Sequence, residues 1–217
     1  MKRLAVLLSA LLLAASLSAA VLDLGGAIEW AYDTNAFSDP LPVGYPLDSG
    51  YPNGGEFLKR HSIGLQVDLN AYGDAESRIG FSSSISLRFP VSSRSIIPEG
   101  EGYDWEYREE DSLYRQHMSL FIGAGPVFRF AAGPVDILLP IRFSLGSYDW
   151  FTSGVVVGAM IEPGISIHLS DNTYLSLALI YDAHLMKFYY SMNQIYDPGY
   201  IMLTVGARIG AGFRFGG

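Results

Sequence analysis

The sequence lacks cysteine altogether and has little positive charge. Zero Cys among 217 residues excludes a disulfide scaffold, a thiolate zinc site and a cysteine nucleophile. The 14 Lys and Arg are outnumbered by 22 Asp and Glu, a net charge of −8, which argues against nucleic acid as a partner because its binding requires a basic face. Charged residues make up only 17%, whereas 49% are hydrophobic and 13% aromatic. This composition is too apolar for disorder, and with 24 Gly and 14 Tyr it favours an all-β protein in contact with an apolar medium.

Residues 1–20 are typical of a secretory signal peptide. Lys2-Arg3 is a short, positively charged n-region, and residues 4–15 form an almost entirely apolar core. Ser18-Ala19-Ala20 places small residues at a cleavage site. The apolar stretch is short for a membrane-spanning helix, so an uncleaved N-terminal anchor is the less favoured alternative. We therefore expect an exported chain, residues 21–217, which contains no apolar run long enough for a transmembrane helix.

Most of the remaining chain alternates between apolar and small polar residues with period 2, which indicates β-strands. The clearest segment is 173–186, in which Leu175, Leu177 and Leu179 share one face and Ser176 lies on the other. The alternation predicts eight strands, at about 24–33, 57–70, 78–89, 113–130, 135–146, 154–170, 173–186 and 199–215. Short turns are expected at 71–77, 131–134 and 171–172, and the other connections, 34–56, 90–112, 147–153 and 187–198, are mostly longer.

Short turns at one rim and longer loops at the other are the layout of an outer-membrane β-barrel. The four loops carry 12 acidic and 3 basic residues, so the negative charge is concentrated there. The polar face of the strands is mostly Gly, Ser and Ala, which fit the narrow interior of an eight-stranded barrel. Aromatic residues, among them Trp30, Tyr32 and Tyr181, gather near predicted strand ends, as at a membrane interface. The fold predicted is an eight-stranded antiparallel up-and-down transmembrane barrel.

The last strand, Ala207-Arg208-Ile209-Gly210-Ala211-Gly212-Phe213-Arg214-Phe215, resembles the aromatic closing strand of the small outer-membrane barrels of the OmpA-domain, OmpX and OmpW group. It differs in that Gly216-Gly217 follow the aromatic residue. The resemblance implies a location in the cell outer membrane and recognition by the outer-membrane insertion machinery. It also implies, from the OmpW group alone, a possible small hydrophobic ligand that passes through the protein.

Within each predicted strand, every second residue faces inward, and this alternation (the parity of a residue) places a set of ionisable residues on the inward face. The predicted lumen network comprises Glu29, Asp68, Arg88, Arg115, His117, Arg142, Glu162, Asp182, His184 and Arg208. Arg129, Asp136, His168 and Arg214 have the same parity. Since an unpaired charge in a narrow lumen is costly, we expect these residues to form salt bridges with a structural role. A polar path or a small-ligand site is the functional alternative.

Catalysis and metal binding are weaker hypotheses. His117 and His184, with Ser119 and Asp182 one inward position away, contain the residue types of a lipid-modifying hydrolase or acyltransferase, but strands four and seven are not neighbours. His61 and His168 fall near opposite rims, which disfavours a shared metal site. The loop 99–111 holds seven carboxylates without the spacing of a calcium loop. We expect no enzyme activity, cofactor or metal.

The main functional hypothesis is a monomeric outer-membrane barrel, surrounded by membrane lipid, with acidic and aromatic surface loops. Its role would be structural support, interaction with a surface partner, or passage of a small hydrophobic molecule. General diffusion is disfavoured because an eight-stranded barrel is narrow. Two alternatives remain open: a soluble periplasmic lipocalin-like barrel that binds an apolar ligand, and an outer-membrane lipid-modifying enzyme.

Overall fold

The computed structural model describes residues 21–37, 57–99, 104–108, 118–148, 155–186 and 200–216. The predicted signal peptide and much of the predicted loops lie outside these residues. The strands are β1 (Val21–Phe37), β2 (Phe57–Tyr72), β3 (Ile79–Glu99), β4 (Asp104–Arg108), β5 (Ser119–Ala132), β6 (Val135–Ser147), β7 (Val156–Ile161), β8 (Gly164–Ser170), β9 (Thr173–Met186) and β10 (Tyr200–Phe215). The described ranges include no helix that is long and apolar enough to cross a membrane.

The strands close into one antiparallel barrel with eight positions around the ring. Each position is called a stave below, and it consists of one strand or of two short strands in succession. Each stave pairs with the next along the chain, and β10 pairs with both β9 and β1, so the sheet has no free edge around the ring. The two short strands β7 and β8 follow each other along one stave, between β6 and β9. The additional strand β4 pairs only with the far end of β3. The predicted fold, an all-β eight-stranded antiparallel barrel, is confirmed.

Successive residues of each stave alternate between the lumen and the outer surface, as a pleated strand requires. Leu177 is 52% exposed, whereas its neighbour Ala178 is 5% exposed. The outward residues are large and apolar on every stave, for example Ile28, Leu65, Ile85, Phe130, Phe143, Ile161, Ile167, Leu177 and Ile209. The inward residues include most of the buried charged side chains of the described part of the chain. The barrel is therefore apolar outside and polar inside.

The stave predicted as one strand over 154–170 is interrupted in the middle. β7 ends at Ile161 and β8 begins at Gly164, because Pro163 between them has no N–H to donate to a ladder. The register with β6 continues across the break, from Ile161 opposite Ile141 to Gly164 opposite Leu138. Backbone hydrogen bonds also bridge it, since the Glu162 N–H donates to the Pro140 carbonyl and the Leu179 N–H to the Pro163 carbonyl. The barrel wall stays closed there.

The segment 90–112, predicted to be a loop, is partly strand, and that prediction was wrong. β3 continues past Pro90 to Glu99 and stays paired with β2, whose register shifts between His61 and Ser62. Such a shift is a bulge, a place where a strand tolerates a residue without an N–H. The strand then folds back as a hairpin, with Ile96 opposite Tyr107. β3 therefore extends beyond Pro90, where the sequence predicted its end, and β4 pairs with this extension.

The three turns at the opposite rim lie where they were expected, at 73–78, 133–134 and 171–172. Gly133 has a φ of 63°, which a side chain would strain, so this two-residue turn requires glycine at that position. In the first turn the Ser77 hydroxyl donates to Asp74 Oδ1 over 2.8 Å, and this hydrogen bond lowers the pKa of the exposed carboxyl. This rim is called the turn side below, and the opposite rim the loop side.

Candidate functional site

The alternation of the strands brings charged residues of all staves into the lumen. Eight of the ten residues predicted for a lumen network lie there: Glu29, Asp68, Arg88, Arg142, Glu162, Asp182, His184 and Arg208. The other two, Arg115 and His117, lie outside the described residues. The charged side chains form four successive clusters from the loop side to the turn side, called the upper, middle, lower and basal clusters.

The upper cluster is centred on Arg60 of β2, which is fully buried. Its Nε donates to Asp33 Oδ2 over 2.9 Å, its Nη1 to the carbonyl of Tyr148 over 3.0 Å, and its Nη2 to Ser119 Oγ over 2.8 Å. The second oxygen of Asp33 accepts a hydrogen bond from Thr204 Oγ1 over 2.6 Å. Arg60 therefore links the β1–β2 side of the barrel to β5 and to the end of β6.

The middle cluster is centred on Arg88 of β3, which is also fully buried. Arg88 Nε lies 2.8 Å from Glu29 Oε1 on β1, and Nη2 lies 2.8 Å from Asp182 Oδ2 on β9. The Ser86 hydroxyl donates to the same Glu29 oxygen over 2.5 Å. The guanidinium carbon lies 5.0 Å from the centre of the Phe121 ring, a cation–π distance. Because β3 and β9 are opposite staves, this arginine spans the lumen.

The lower cluster pairs two arginines with two carboxylates. Arg142 Nη1 lies 2.7 Å from Glu162 Oε2, and its Nη2 lies 3.0 Å from Asp68 Oδ1. Arg208 contacts the other oxygen of Asp68 and lies 3.1 Å from Glu162 Oε2. The Gln66 amide donates to both acids, to Asp68 over 2.9 Å and to Glu162 over 3.0 Å. Charge is balanced within this cluster, which joins β2, β6, β10 and the connection between β7 and β8.

The basal cluster closes the turn side of the lumen. Arg214 makes two hydrogen bonds of 2.7 Å to the two oxygens of Asp23, and its Nη2 also donates to Asp136 Oδ2 over 2.9 Å. His168 Nε2 lies 2.9 Å from the same oxygen of Asp136. Arg129 donates to the backbone carbonyls of the 73–78 turn. These contacts tie the turns to the barrel interior.

Small residues inside the barrel make room for the long ones. A Cβ added to Gly64 of β2 would lie 2.5 Å from Glu29 Oε1 and 2.7 Å from Glu29 Cγ, which is far closer than real contacts allow. A Cβ on Gly123 of β5 would lie 3.2 Å from Arg142 Cδ. The Gly, Ser and Ala residues on the inward face therefore leave space for the long charged side chains, because both must fit one narrow lumen.

Of the residues considered for catalysis, His117 lies outside the described residues, and the three described ones are not brought together. Ser119 hydrogen-bonds Arg60 and the Tyr148 carbonyl, and Asp182 pairs with Arg88. His184 instead lies between two hydroxyls, with Nε2 2.5 Å from Ser144 Oγ and Nδ1 3.0 Å from Tyr148 OH.

This histidine is fully buried and its ring stacks on Phe121, with the ring centres 4.8 Å apart. A buried Ser–His pair without a carboxylate on the second ring nitrogen lacks both the access and the partner that nucleophilic catalysis needs. Within the described ranges, no three His, Asp or Glu side chains are grouped so that they could hold a metal ion.

Three residues of the network were missed at the sequence level: Asp23, Asp33 and Arg60. Asp33 has the same parity as Glu29 on β1, and Arg60 has the same parity as Asp68 on β2, so the alternation itself could have identified both. Asp23 was missed because the predicted first strand began at residue 24, whereas β1 begins at Val21. The assignment of inward-facing residues was least complete near strand ends, because few alternating residues define the pattern there.

The charged clusters extend across the barrel interior. Arg60, Arg88 and Arg142 are each no more than 1% exposed, and each reaches across the lumen to other staves. Buried ion pairs contribute little net stability, but removing one partner leaves an uncompensated charge, which is strongly unfavourable. The clusters therefore link strands on different sides of the lumen, as cross-braces would.

Comparison with solved structures finds outer-membrane barrels. The Neisserial surface protein A is similar at 14% identity, with 88% of this chain and 95% of that chain covered and a TM-score of 0.48. The outer-membrane protein OprG from Pseudomonas aeruginosa is similar at 10% identity, with 92% and 98% covered and a TM-score of 0.49. Ail, the attachment invasion locus protein of Yersinia pestis, is similar at 16% identity, with 89% and 98% covered and a TM-score of 0.36. No protein-family model and no curated protein matches the sequence.

Proposed function

We propose that this protein is an exported outer-membrane barrel with a closed lumen, which acts at the loop side by structural support or by contact with a surface partner. Residues 1–20 would direct export and be removed, and the aromatic closing strand β10 would be read by the outer-membrane insertion machinery. In this proposal the barrel is a monomeric membrane anchor. The activity belongs to the loops and not to the lumen.

The observation that carries the proposal is that the barrel is polar inside and apolar outside, the reverse of a water-soluble protein. Isolated apolar residues on a surface are ordinary, but a contiguous apolar surface is not stable in water. Here every stave exposes large apolar side chains, such as Ile209 at 66%, Phe143 at 65% and Ile79 at 63%. Hydrocarbon is the medium that such a surface requires, and a closed barrel satisfies all backbone groups within it.

The ion pairs that cross the interior support a closed lumen. A soluble lipocalin-like barrel would hold its apolar ligand inside, but the interior here is lined by arginines and carboxylates that pair with one another. The same charges oppose passage of a small hydrophobic molecule along the barrel axis, because an apolar solute gains nothing from displacing ion pairs. The lumen is therefore assigned a structural role.

The test has two parts, and both use the chain from residue 21. Diluted out of urea, the protein should reach a β-rich monodisperse state only in detergent or lipid, as measured by circular dichroism and size-exclusion chromatography. A monodisperse β-rich sample in plain buffer would contradict the membrane location. In a planar bilayer the folded protein should show no steady conductance, and a stable open channel would contradict the closed lumen.

A further inference from the structure

Among the strand side chains that the structure describes, basic groups on the outer wall occur at one place, near the loop-side end of β2. Among the side chains that the structure describes, Lys59 and His61 of β2 are the only outward-facing groups on the strands that carry or can acquire a positive charge. Both are exposed, and no described carboxylate makes a salt bridge with either of them. Every other strand arginine whose side chain the structure describes is directed into the lumen and engaged there. Lys59 is a cation without a described salt-bridge partner on an otherwise apolar wall, and it needs an external counter-charge.

Two aromatic side chains of β1 flank this pair. Tyr32 lies opposite His61 in the register, and their ring centres are 4.9 Å apart. Trp30, two residues from Tyr32 on the same strand, also stacks on His61, with ring centres 5.8 Å apart and planes inclined by 29°. The imidazole is thereby held in place beside Lys59.

The position along the strand matches a membrane interface. Lys59 lies 13 residues from Tyr72, the turn-side end of β2. At ~3.3 Å per residue and a tilt of about 40°, this corresponds to ~33 Å along the barrel axis. The hydrocarbon core of a bilayer is ~30 Å thick. If the turn side lies at one interface, Lys59 and His61 lie at the other, at the level of the lipid headgroups.

We propose that Lys59, His61, Trp30 and Tyr32 form a binding site for the phosphate of an anionic lipid headgroup in the leaflet nearest the loops. Lys59 supplies the positive charge, His61 supplies a ring N–H donor, and the indole and phenol rings cover the first carbons of the acyl chains. The occupant is a membrane lipid and not a free anion, because the wall on the turn side of the cations is continuously apolar, with Ile63 and Leu65 50% and 56% exposed. This inference rests on the proposed membrane location.

The experiment measures lipid retention by native mass spectrometry. The detergent-folded protein is mixed with equal amounts of phosphatidic acid and diacylglycerol that carry the same acyl chains, so the two lipids differ only in the phosphate. The wild type should retain phosphatidic acid preferentially. Lys59→Gln should reduce this preference about fivefold, because one basic residue near an anionic lipid surface contributes roughly that factor. Lys59→Gln combined with His61→Gln should reduce it further.

The matched control is Arg78→Gln, which removes an exposed positive charge beside the turn-side rim. It should leave the preference unchanged, and an equal reduction by Arg78→Gln would overturn the site. A large excess of inorganic phosphate should not displace the lipid, and displacement would show a free-anion site instead. A barrel that folds only in detergent but shows no preference would overturn this inference alone, whereas folding in plain buffer would overturn the membrane location as well.

Discussion

The two faces of a single strand differ more than any two strands of the barrel. On β3, Arg88 is fully buried among carboxylates, and the adjacent Phe89 is 41% exposed on the wall. On β9, Asp182 is 3% exposed in the lumen, and the adjacent Tyr181 is 48% exposed outside. The backbone is the same on both faces, so what differs is the medium that each face must meet.

The comparison shows that different forces act on the two faces. In the proposed membrane location, the outer face depends on transfer of apolar side chains into hydrocarbon and tolerates many apolar residues, because lipid has no fixed shape. The inner face depends on charge pairing at 2.7–3.0 Å between residues of different staves, such as Arg142 with Glu162 and Asp68. We therefore expect the lumen to be sensitive to the loss of one partner and the wall to be sensitive to polarity and depth.

The largest effect is expected from breaking the middle cluster. Arg88→Ala leaves Glu29 and Asp182 buried without their cation, and we expect a loss of about 3–5 kcal/mol in the free energy of unfolding. Urea unfolding in lipid vesicles, followed by tryptophan fluorescence, measures it. The matched control combines Arg88→Met with Glu29→Gln and Asp182→Asn, which removes all three charges and should recover most of the loss. If Arg88→Ala is as stable as wild type, the cross-bracing role is wrong.

The second effect comes from placing a charge on the wall. Leu177→Arg directs a guanidinium into hydrocarbon from an outward position of β9 and should cost about 2–4 kcal/mol if the residue lies near the midplane. Ile79→Arg, at the turn-side end of β3, should cost only ~0–1 kcal/mol, because it lies near the interface. The same unfolding experiment in vesicles gives both values. Equal costs at the two positions would contradict the depth assignment.

The smallest effect is expected outside the barrel ring. Replacing residues 97–106 by Asn-Gly joins Ile96 to Tyr107, which are already opposite each other, through a two-residue hairpin turn. We expect less than ~0.5 kcal/mol of change in stability, because this hairpin pairs with no other stave. A deletion from residue 90 would be a different experiment, since 90–96 are paired with β2. Loss of the barrel on the shorter replacement would show that the hairpin supports the ring.

The sequence predicts the ring well, because period 2 is repeated over many residues. The strands at 57–72, 135–147 and 173–186 lie within two residues of their predicted bounds, and the alternation alone directed Glu162, Asp182 and Arg208 inward. Local patterns did not reveal the break at Pro163 or the continuation of β3 past Pro90. Both depend on how a neighbouring strand accommodates a residue without an N–H.

Pairing across the lumen is the part that the sequence does not predict. Parity places Arg88 and Asp182 inside, but which carboxylate an arginine meets depends on the level of each stave around the ring. The height of a residue along the barrel axis follows from the stagger of all the strands. No single segment of the sequence contains that stagger. The same applies to His184, which shares an inward face with Asp182 on β9 and lies between Ser144 and Tyr148.

The central claim, an apolar face in lipid and a polar face in a closed lumen, is tested most directly by a pair of adjacent spin labels. The chain has no cysteine, so Leu177→Cys and Ser176→Cys each provide a single labelling site. In lipid vesicles, the label at 177 should be relaxed strongly by membrane-dissolved oxygen and weakly by a water-soluble reagent. The label at 176, which is directed into the lumen, should respond weakly to both. A label at 176 that meets the water-soluble reagent freely, beside a label at 177 that is shielded from both reagents, would contradict the account.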